Sequence, residues 1–226
     1  MINFGSRTRL YYSRVSGTSP ARSRVPRLAL RPTAPQRAGR AALIAAAPGG
    51  PEDLAVISLR LRPFPADLAG VVSGWATTDE EVLLWCGRPA APVSAAQISA
   101  WAREEGVEPF GLYRGERLVG YGELWVDDRE TEVELARLII DPAERGQGLG
   151  RRLATGLAGL ARSRYPRVFL RVHPDNTAAR RCYAAAGFEP VPPEQAAAWN
   201  AGQPVGYVWL SPVGARSHGQ EEERDE

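Results

Sequence analysis

Apolar and polar positions begin to form a regular pattern near Val56. The stretch VISLRLRPF alternates the two kinds of residue, as a half-buried strand does. A mixed helical region from Pro65 to Trp75 follows. In TTDEEVLLW, Thr78 can cap a helix that carries acids in its first turn, and a further helix is predicted from Ser94 to Glu105, ended by Gly106.

The second half of the chain alternates strands with helices. PFGLYR and RLVGYGELWV predict two strands joined at Gly115 as a hairpin, and EVELARLII predicts a third strand. A helix to about Arg162, the strand RVFLRV, a helix from about Thr177 to Ala186 and a strand pair around Phe188 and VGYVWL complete the pattern. Hairpins combined with one β-α-β crossover predict a single domain of mixed α/β (α+β) class. Its central mixed sheet is expected to be mostly antiparallel and flanked by helices.

Both ends of the chain lack such periodicity. Residues 1–52 are rich in Arg, Ser, Pro and Ala, and the first 50 residues carry nine arginines and no acid. We expect a disordered or targeting-like segment, and the composition leaves open disorder, a transit peptide or a start codon placed too far upstream. Nucleic-acid binding by this arm has no aromatic or motif support. We expect the domain at residues 53–213 and an acidic disordered tail at residues 214–226.

The composition argues against several classes of protein. No run of about 18 apolar residues occurs, so neither a membrane span nor a membrane partner is expected. Cys86 and Cys182 have no second Cys or His at ligand spacing, which predicts neither a disulfide framework nor a metal site. All 28 basic residues are arginines, which excludes a lysine-based mechanism. The expected location is a reducing one, the cytoplasm.

The stretch ERGQGLGRRL, residues 144–153, places three glycines at alternate positions, with one arginine before them and two behind. Glycines at the start of a helix let backbone N–H groups face outward, and the helix dipole adds positive potential there. A stripe of Leu149, Leu153, Leu157 and Leu160 supports the helix. A dinucleotide fingerprint would need its third glycine one residue later, and a P-loop would need a lysine. The stretch predicts a phosphate site, and a turn that only packs the helix on the sheet is the alternative.

Two segments resemble the signatures of a known family. LARLIIDPAERGQGLGRRLA is similar to the acetyl-coenzyme A (acetyl-CoA) signature of the GNAT superfamily of N-acetyltransferases, Gln/Arg-x-x-Gly-x-Gly/Ala, matched by Arg145, Gly148 and Gly150. LRVHPDNTAARRCYAAAGFEPV is similar to its second signature, a strand, an Asn, a helix carrying a Tyr, and then Gly-Phe. The resemblance covers about residues 55–211. It implies a GNAT-like domain that uses acetyl-CoA as co-substrate, without a metal.

The resemblance also implies which residues hold the co-substrate. In the superfamily the strand before the glycine loop bends open, its backbone pairs with the pantetheine arm, and an N–H polarises the acetyl carbonyl. The implied cofactor-binding residues are Leu138, Ile139, Ile140, Arg145, Gly146, Gln147, Gly148, Leu149, Gly150, Arg151 and Asn176. Capping the following helix is an equally suitable role for Asn176.

The catalytic residues implied by the resemblance are an acid and a base. Tyr183 matches the superfamily tyrosine that protonates the leaving thiolate, and a hydrogen-bonded core tyrosine is the alternative. Glu134 and Glu123 are candidates for the base, directly or through water, although each could be a solvent-facing strand residue. Members resembling ribosomal-protein alanine acetyltransferases carry a glutamate in the strand that here reads FLRV. This chain has Arg171 there, which puts their mechanism and substrate in doubt.

The implied activity is direct transfer of an acetyl group from acetyl-CoA to a primary amine on a small molecule or peptide. Residues 145–181 hold nine arginines and one acid, whereas residues 79–134 hold thirteen acids and five arginines. A cationic amine attracted to the acidic half is therefore one hypothesis, and solvated surface faces are the alternative. The second candidate function is a non-catalytic acyl-CoA-binding sensor or interaction module of the same fold. The superfamily often dimerises, so a homodimer is among the expected partners, whereas nucleic acid is not.

Overall fold

A seven-stranded sheet organises residues 58–214, the part of the chain described by this computed structural model. The strands are β1 (Leu59–Pro63), β2 (Val107–Arg114), β3 (Arg117–Asp127), β4 (Glu132–Ile140), β5 (Arg167–Val172), β6 (Phe188–Pro190) and β7 (Val208–Pro212). Their order is β1-β2-β3-β4-β5-β7-β6, and every neighbouring pair is antiparallel except β4 and β5. The predicted mixed, mostly antiparallel sheet is confirmed. The predictions for residues 1–52 and for the tail after residue 214 fall outside the described residues.

Six α-helices flank the sheet within residues 58–214. They are α1 (Ala69–Ser73), α2 (Asp79–Cys86), α3 (Ala95–Trp101), α4 (Leu149–Arg162), α5 (Thr177–Ala185) and α6 (Pro193–Asn200). Helix α3 ends four residues before the predicted Glu105. The sequence pattern does not predict α6, because Trp199 is its one large apolar residue and no stripe forms. No helix in this part of the chain is both long enough and apolar enough to cross a membrane.

Local hydrogen bonds explain where the helices of the first half begin. Thr78 forms a capping box with Glu81, since its hydroxyl accepts from the Glu81 N–H at 3.2 Å and the Glu81 carboxylate accepts from the Thr78 N–H at 3.4 Å. Ser94 caps α3 by accepting from the Gln97 N–H at 3.1 Å. The capping box holds the first turn of α2 in one position, and this turn lies against the glycine-rich stretch.

Helix α4 covers one face of the sheet. Leu149, Leu153 and Leu157 are almost fully buried, but Leu160 is 40% exposed, so the predicted leucine stripe is wrong at its last position. Alanines complete the buried face instead, namely Ala154, Ala158 and Ala161. Small side chains there let the helix approach the strands closely, and the leucines between them each contribute roughly 1.5–3 kcal/mol by burial.

Two separate groups of apolar residues cover the opposite face. Helices α1, α2 and α3 pack over β2, β3 and the end of β4 around Val72, Ile98 and Tyr121. Helix α6 covers β5 and β7 through an aromatic cluster of Phe169, Trp199 and Trp209, whose ring centroids lie 4.7–5.9 Å apart. Charged side chains of the central strands lie on this same face.

The parallel strands β4 and β5 separate part-way along their length. Their pairing runs from Glu132 opposite Arg167 to Leu135 opposite Leu170 and ends there, although β4 continues to Ile140. The register between β3 and β4 shifts just beyond this point. Arg137 there has a φ of 50°, and its carbonyl accepts a hydrogen bond from the Trp85 indole at 2.8 Å. The resulting bend opens the sheet beside the last residues of β4.

Candidate active site

A cleft of about 790 Å³ begins where β4 and β5 separate. The last three residues of β4 form one wall, and the glycine-rich stretch with the first turn of α4 forms its base. Helix α5 and the facing side of α2 enclose it. Among the sequence-predicted residues, those that line the cleft are Leu138, Ile139, Ile140, Arg145, Gly146, Gly148, Leu149, Gly150, Arg151, Asn176 and Tyr183.

The first two glycines of the stretch have backbone conformations that favour glycine. Gly146 has a φ of 81° and Gly148 a φ of 74°, and a Cβ at either position would meet open space. Gly148 is also the N-terminal cap of α4, a helix of fourteen residues. Helix N–H groups at this end have no partner inside the helix, so bare backbone and helix dipole together favour an anion.

The third glycine is explained by packing. A Cβ on Gly150 would lie 2.9 Å from the Cys182 Sγ of α5. Close contact between α4 and α5 therefore requires glycine at this position. Packing of this kind was the alternative to phosphate binding left open by the sequence, and it accounts for one glycine of the three.

Arg145 is held by protein groups on three sides. Its guanidinium contacts Glu81 at 2.9 Å, the Trp75 carbonyl at 2.9 Å and the Ile140 carbonyl at 3.3 Å. The Thr77 N–H, followed by Arg145, lowers the pKa of the Glu81 carboxyl. These contacts join the loop before α4 to α2, so the side chain serves to position the loop.

Gln147, the remaining predicted residue of the stretch, lies in a polar network behind the loop. Its amide oxygen accepts from Arg114 at 2.9 Å, and its amide nitrogen donates to Glu144 at 3.2 Å. The Glu144 carboxylate is 7% exposed and pairs with Arg114 at 2.7 Å and Arg117 at 3.0 Å. The network fixes the loop to the β2–β3 hairpin, a role that the sequence analysis missed.

Two arginines at the cleft are available to an anion. Arg151, which the sequence predicts, and Arg181, which it does not, both line the cleft. No carboxylate of residues 58–214 forms an ion pair with either of them, while seven of the acids between residues 79 and 134 do pair with arginines elsewhere. Arg181 precedes Cys182 and Tyr183 on α5, but it lies five residues after Asn176, so the helical period from Asn176 does not indicate it.

Asn176 and Tyr183 lie at opposite ends of α5. The Asn176 carboxamide caps the helix by accepting from the Ala179 N–H at 3.0 Å, and it donates to the Leu84 carbonyl of α2 at 3.4 Å. Tyr183 packs against the main core beside Phe188, and its hydroxyl has no hydrogen-bond partner among residues 58–214. Burial raises the pKa of the phenol above its ordinary value. The hydroxyl is therefore protonated at neutral pH and free to donate.

The two glutamates predicted as bases lie outside the cleft, on the face of the sheet opposite α4. Glu123 is fully buried, and its oxygens accept from Tyr121 at 2.5 Å, Trp125 at 2.6 Å and Arg137 at 2.9 Å. Glu134 pairs with Arg171, whose Nε lies 3.0 Å from Oε1. Burial raises the pKa of the Glu134 carboxyl, with Arg171 and Arg137 opposing the effect.

Other reactive side chains have structural surroundings. His173 accepts from the Asp175 N–H at 3.3 Å at the end of β5, and burial raises the pKa of the Cys182 thiol. No cluster of three or more His, Cys, Asp or Glu side chains within residues 58–214 is arranged to hold a metal ion. The cleft thus offers a main-chain anion site, two arginines without an ion-pair partner in residues 58–214 and a phenol, whereas the two carboxylates predicted as bases lie outside it.

This combination of fold and cleft agrees with the sequence profile of the Acetyltransferase (GNAT) family, which matches residues 69–188, more than half of the chain. The chain belongs to this family. The sequence resemblance to GNAT signatures is thereby confirmed.

Curated GNAT relatives match shorter segments. A mycothiol acetyltransferase of Gordonia bronchialis is 39% identical over 93 residues, which is 40% of this chain and 30% of that protein. An N-alpha-acetyltransferase RimI of Mycobacterium tuberculosis is 39% identical over 83 residues, 36% of this chain and 51% of that protein. The chain therefore spans about half or less of the curated relatives it matches.

Solved GNAT structures share the fold. AAC(6')-Ib in complex with ribostamycin and coenzyme A has a TM-score of 0.56 and 20% identity, covering 73% of this chain and 99% of that chain. The spermidine N-acetyltransferase from Vibrio cholerae, in complex with CoA and spermine, has a TM-score of 0.51 and 18% identity, covering 59% of this chain and 82% of that chain. At this level of identity the likeness is one of architecture.

Proposed function

We propose that the protein is an N-acetyltransferase that moves an acetyl group from acetyl-CoA directly to a primary amine. The observation that carries this proposal is the cleft, which joins an open glycine loop at the start of α4 to the gap between β4 and β5 and contains a free phenol. Family membership supports the same activity.

The cleft suits acetyl-CoA in shape and charge. Gly146 and Gly148 leave open space in front of backbone N–H groups, and Arg151 and Arg181 add positive charge for phosphate oxygens. The main chain of Leu138–Ile140 is not paired with β5, so its polar groups can bind the pantetheine arm. Asn176 contributes by capping the N-terminus of α5. Arg145 and Gln147 contribute by holding the glycine loop in its conformation.

The proposed reaction is a balanced acyl transfer. The neutral amine attacks the thioester carbonyl carbon, a C–N bond forms and the C–S bond breaks. The amine loses one proton and the sulfur gains one, giving an amide and a thiol. Tyr183 donates to the leaving sulfur. Glu134, which lies on β4 outside the cleft, accepts the amine proton through an intervening water; Arg171 contacts its Oε1, and burial favours its protonated form.

Glu123 is the weaker candidate for the base. Three donors already surround its carboxylate, and any proton it accepted would replace one of them. Glu123 instead supports Arg137 at the bend of β4. We therefore assign the proton transfer to Glu134 alone.

The acceptor is proposed to be a primary amine, and the sequence hypothesis of a cationic one is retained for testing. Its basis was the thirteen acids of residues 79–134. Seven of these acids pair with arginines in the structure, including Glu81, Glu108 and Glu116. Pairing reduces the long-range field on which steering depends, so the charge argument alone does not select a cationic amine.

Tyr183→Phe separates catalysis from the second candidate function, binding of acyl-CoA without turnover. Loss of the phenolic proton is expected to lower kcat by about 10²–10⁴-fold, while the acetyl-CoA dissociation constant stays within about threefold. Steady-state kinetics and calorimetry of the full chain measure the two quantities. Tyr165→Phe is the matched control, because that phenol donates to Asp128 on the surface. Unchanged turnover in Tyr183→Phe would exclude this residue as the acid.

A further inference from the structure

A β-bulge lies in β4 directly before the wall of the cleft. Two residues of β4, Arg137 and Leu138, lie opposite the single residue Gly122 of β3. Leu138 is the first residue of β4 to line the cleft. A bulge bends its strand and redirects the groups beside it. The bulge therefore determines how β4 presents its main chain to the cleft.

Arg137 adopts a backbone conformation that residues with a side chain rarely keep. Its φ of 50° lies in the left-handed region, which costs of order 1–3 kcal/mol and persists where the surrounding structure holds it. Within residues 58–214, Thr131 is the other non-glycine residue with a positive φ, and it lies in the turn between β3 and β4. Turns often require a positive φ, whereas a strand does not. Arg137 is therefore held in place by its contacts.

One set of contacts fixes the Arg137 side chain. The guanidinium pairs with Glu123 at 2.9 Å, and both side chains are almost fully buried. Its central carbon lies 3.8 Å from the ring centroid of Trp101 and 4.8 Å from that of Trp125. The ion pair and the two rings fix the position of the group. The orientation of the peptide group that follows Arg137 depends on a further contact.

Trp85 of α2 supplies this contact. Its indole Nε1 donates to the Arg137 carbonyl at 2.8 Å, from a position 52 residues away along the chain. An edge contact with Trp101, at 6.0 Å between ring centroids, holds the indole itself. A trans peptide group is planar, and its C=O and N–H point in opposite directions. The indole that holds the Arg137 carbonyl therefore also sets the direction of the Leu138 N–H.

We propose that Trp85 is a positioning residue for acetyl transfer, which holds the peptide group between Arg137 and Leu138 in the orientation that lets β4 polarise the thioester carbonyl. This inference rests on the proposed acetyltransferase function. A donor aimed at the oxygen that becomes negative stabilises the transition state more than the bound substrate. The glycine loop and the cleft arginines bind the phosphates without the indole. Loss of the indole N–H should therefore lower kcat much more than affinity for acetyl-CoA.

Trp85→Phe in the full chain tests this division. We expect kcat to fall by about 10- to 100-fold, less than the loss of a whole oxyanion donor, and the acetyl-CoA dissociation constant to stay within about threefold. Trp199→Phe is the matched control, because Trp199 is also half-buried but lies outside the cleft in the aromatic cluster beside β5 and β7. It should keep both quantities within about threefold of the unmodified chain. Thermal melting checks the folding of both variants.

Infrared spectroscopy gives a readout that a purely structural role would not change. Hydrogen bonding to a thioester oxygen lowers the stretching frequency of its carbonyl group. With acetyl-CoA isotope-labelled at the acetyl carbonyl, the bound band in the unmodified chain should lie below that of free acetyl-CoA. In Trp85→Phe the band should move back towards the free value, and in Trp199→Phe it should not.

Replacement of Trp85 by 3-benzothienylalanine, which has sulfur in place of the indole N–H, keeps the shape of the ring and decides the matter if Trp85→Phe does not fold. A folded variant with unchanged kcat, or a fall in kcat with an unchanged carbonyl band, would overturn the role of Trp85 while leaving the acetyltransferase function intact. Failure of the unmodified chain to acetylate any amine in a broad panel would overturn the proposed function, and this inference with it.

Discussion

Arg145 and Arg151 lie six residues apart in the glycine-rich stretch, and their surroundings differ. Arg145 binds Glu81 and two carbonyl groups, whereas Arg151 lines the cleft with no ion-pair partner in residues 58–214. The signature in the sequence locates both side chains near the phosphate site. It cannot separate their roles, because the partner of Arg145 lies 64 residues away along the chain. Residue roles that depend on such distant contacts require the fold.

Protonation of Glu132 leads to a prediction of how the stability of the fold changes with pH. Burial raises the pKa of this carboxyl to about 7 from 4.5, with Arg167 opposing and neighbouring acids adding to the shift. At pH values between 4.5 and about 7, Glu132 keeps its proton in the folded chain and has lost it in the unfolded chain. The stabilisation of the folded state by this protonated carboxyl is therefore complete below pH 4.5 and is lost as the pH rises through about 7.

Glu132→Gln resembles the protonated side chain at every pH. We expect the variant and the unmodified chain to melt at similar temperatures near about pH 5 and the variant to melt at a higher temperature near about pH 8. Differential scanning calorimetry in matched buffers measures this. Glu116→Gln, at an exposed pair with Arg62, is the control and should show no gain at the higher pH. A variant that melts below the unmodified chain at pH 8 contradicts the assignment.

Helix α4 supplies both packing and the site. Its buried face holds it on the sheet, and its first turn presents bare backbone to the cleft. The alternation and the hairpin signals predict the strands, and the cap at Thr78 predicts α2, since these patterns are local. Helix α6 is not predictable in this way, because its stability comes from aromatic contacts between Trp199 and residues of β5 and β7.

Two glycines of α4 allow the packing role to be measured. Alanine normally stabilises a helix by about 1 kcal/mol relative to glycine. Gly159→Ala, where a Cβ meets nothing within 4 Å, should show this gain. Gly150→Ala should show no such gain in stability, because the new Cβ would lie 2.9 Å from the Cys182 Sγ.

A double-mutant cycle identifies the contact responsible. Removing the sulfur in Cys182→Ala should restore most of the gain to Gly150→Ala, a coupling of roughly 1 kcal/mol measured by urea unfolding. Equal stabilisation by Gly150→Ala and Gly159→Ala in the unmodified background would show that α4 and α5 are not in close contact at this point.

In the described domain, the pairing of the strands in the sheet determines where the cleft lies. The parallel pairing of β4 with β5 stops after Leu170, and the space beyond contains the glycine loop, Tyr183 and the unpaired arginines. The sequence predicts the fold class and most main-chain elements of this site because they follow local patterns and two signatures. The pairing of Glu134 with Arg171 is not predictable in the same way, since it depends on the register of a parallel ladder that pairs residues 35 positions apart in sequence.

Binding of acetyl-CoA to this cleft through the glycine loop underlies every step proposed above. Isothermal titration calorimetry of the full chain with acetyl-CoA, and separately with dephospho-CoA and NAD, measures it. We expect micromolar binding of acetyl-CoA, weaker binding of dephospho-CoA and no binding of NAD. Absence of acetyl-CoA binding in a sample that circular dichroism shows to be folded would mean that the glycines serve packing alone, and the proposed acetyltransferase function would be contradicted.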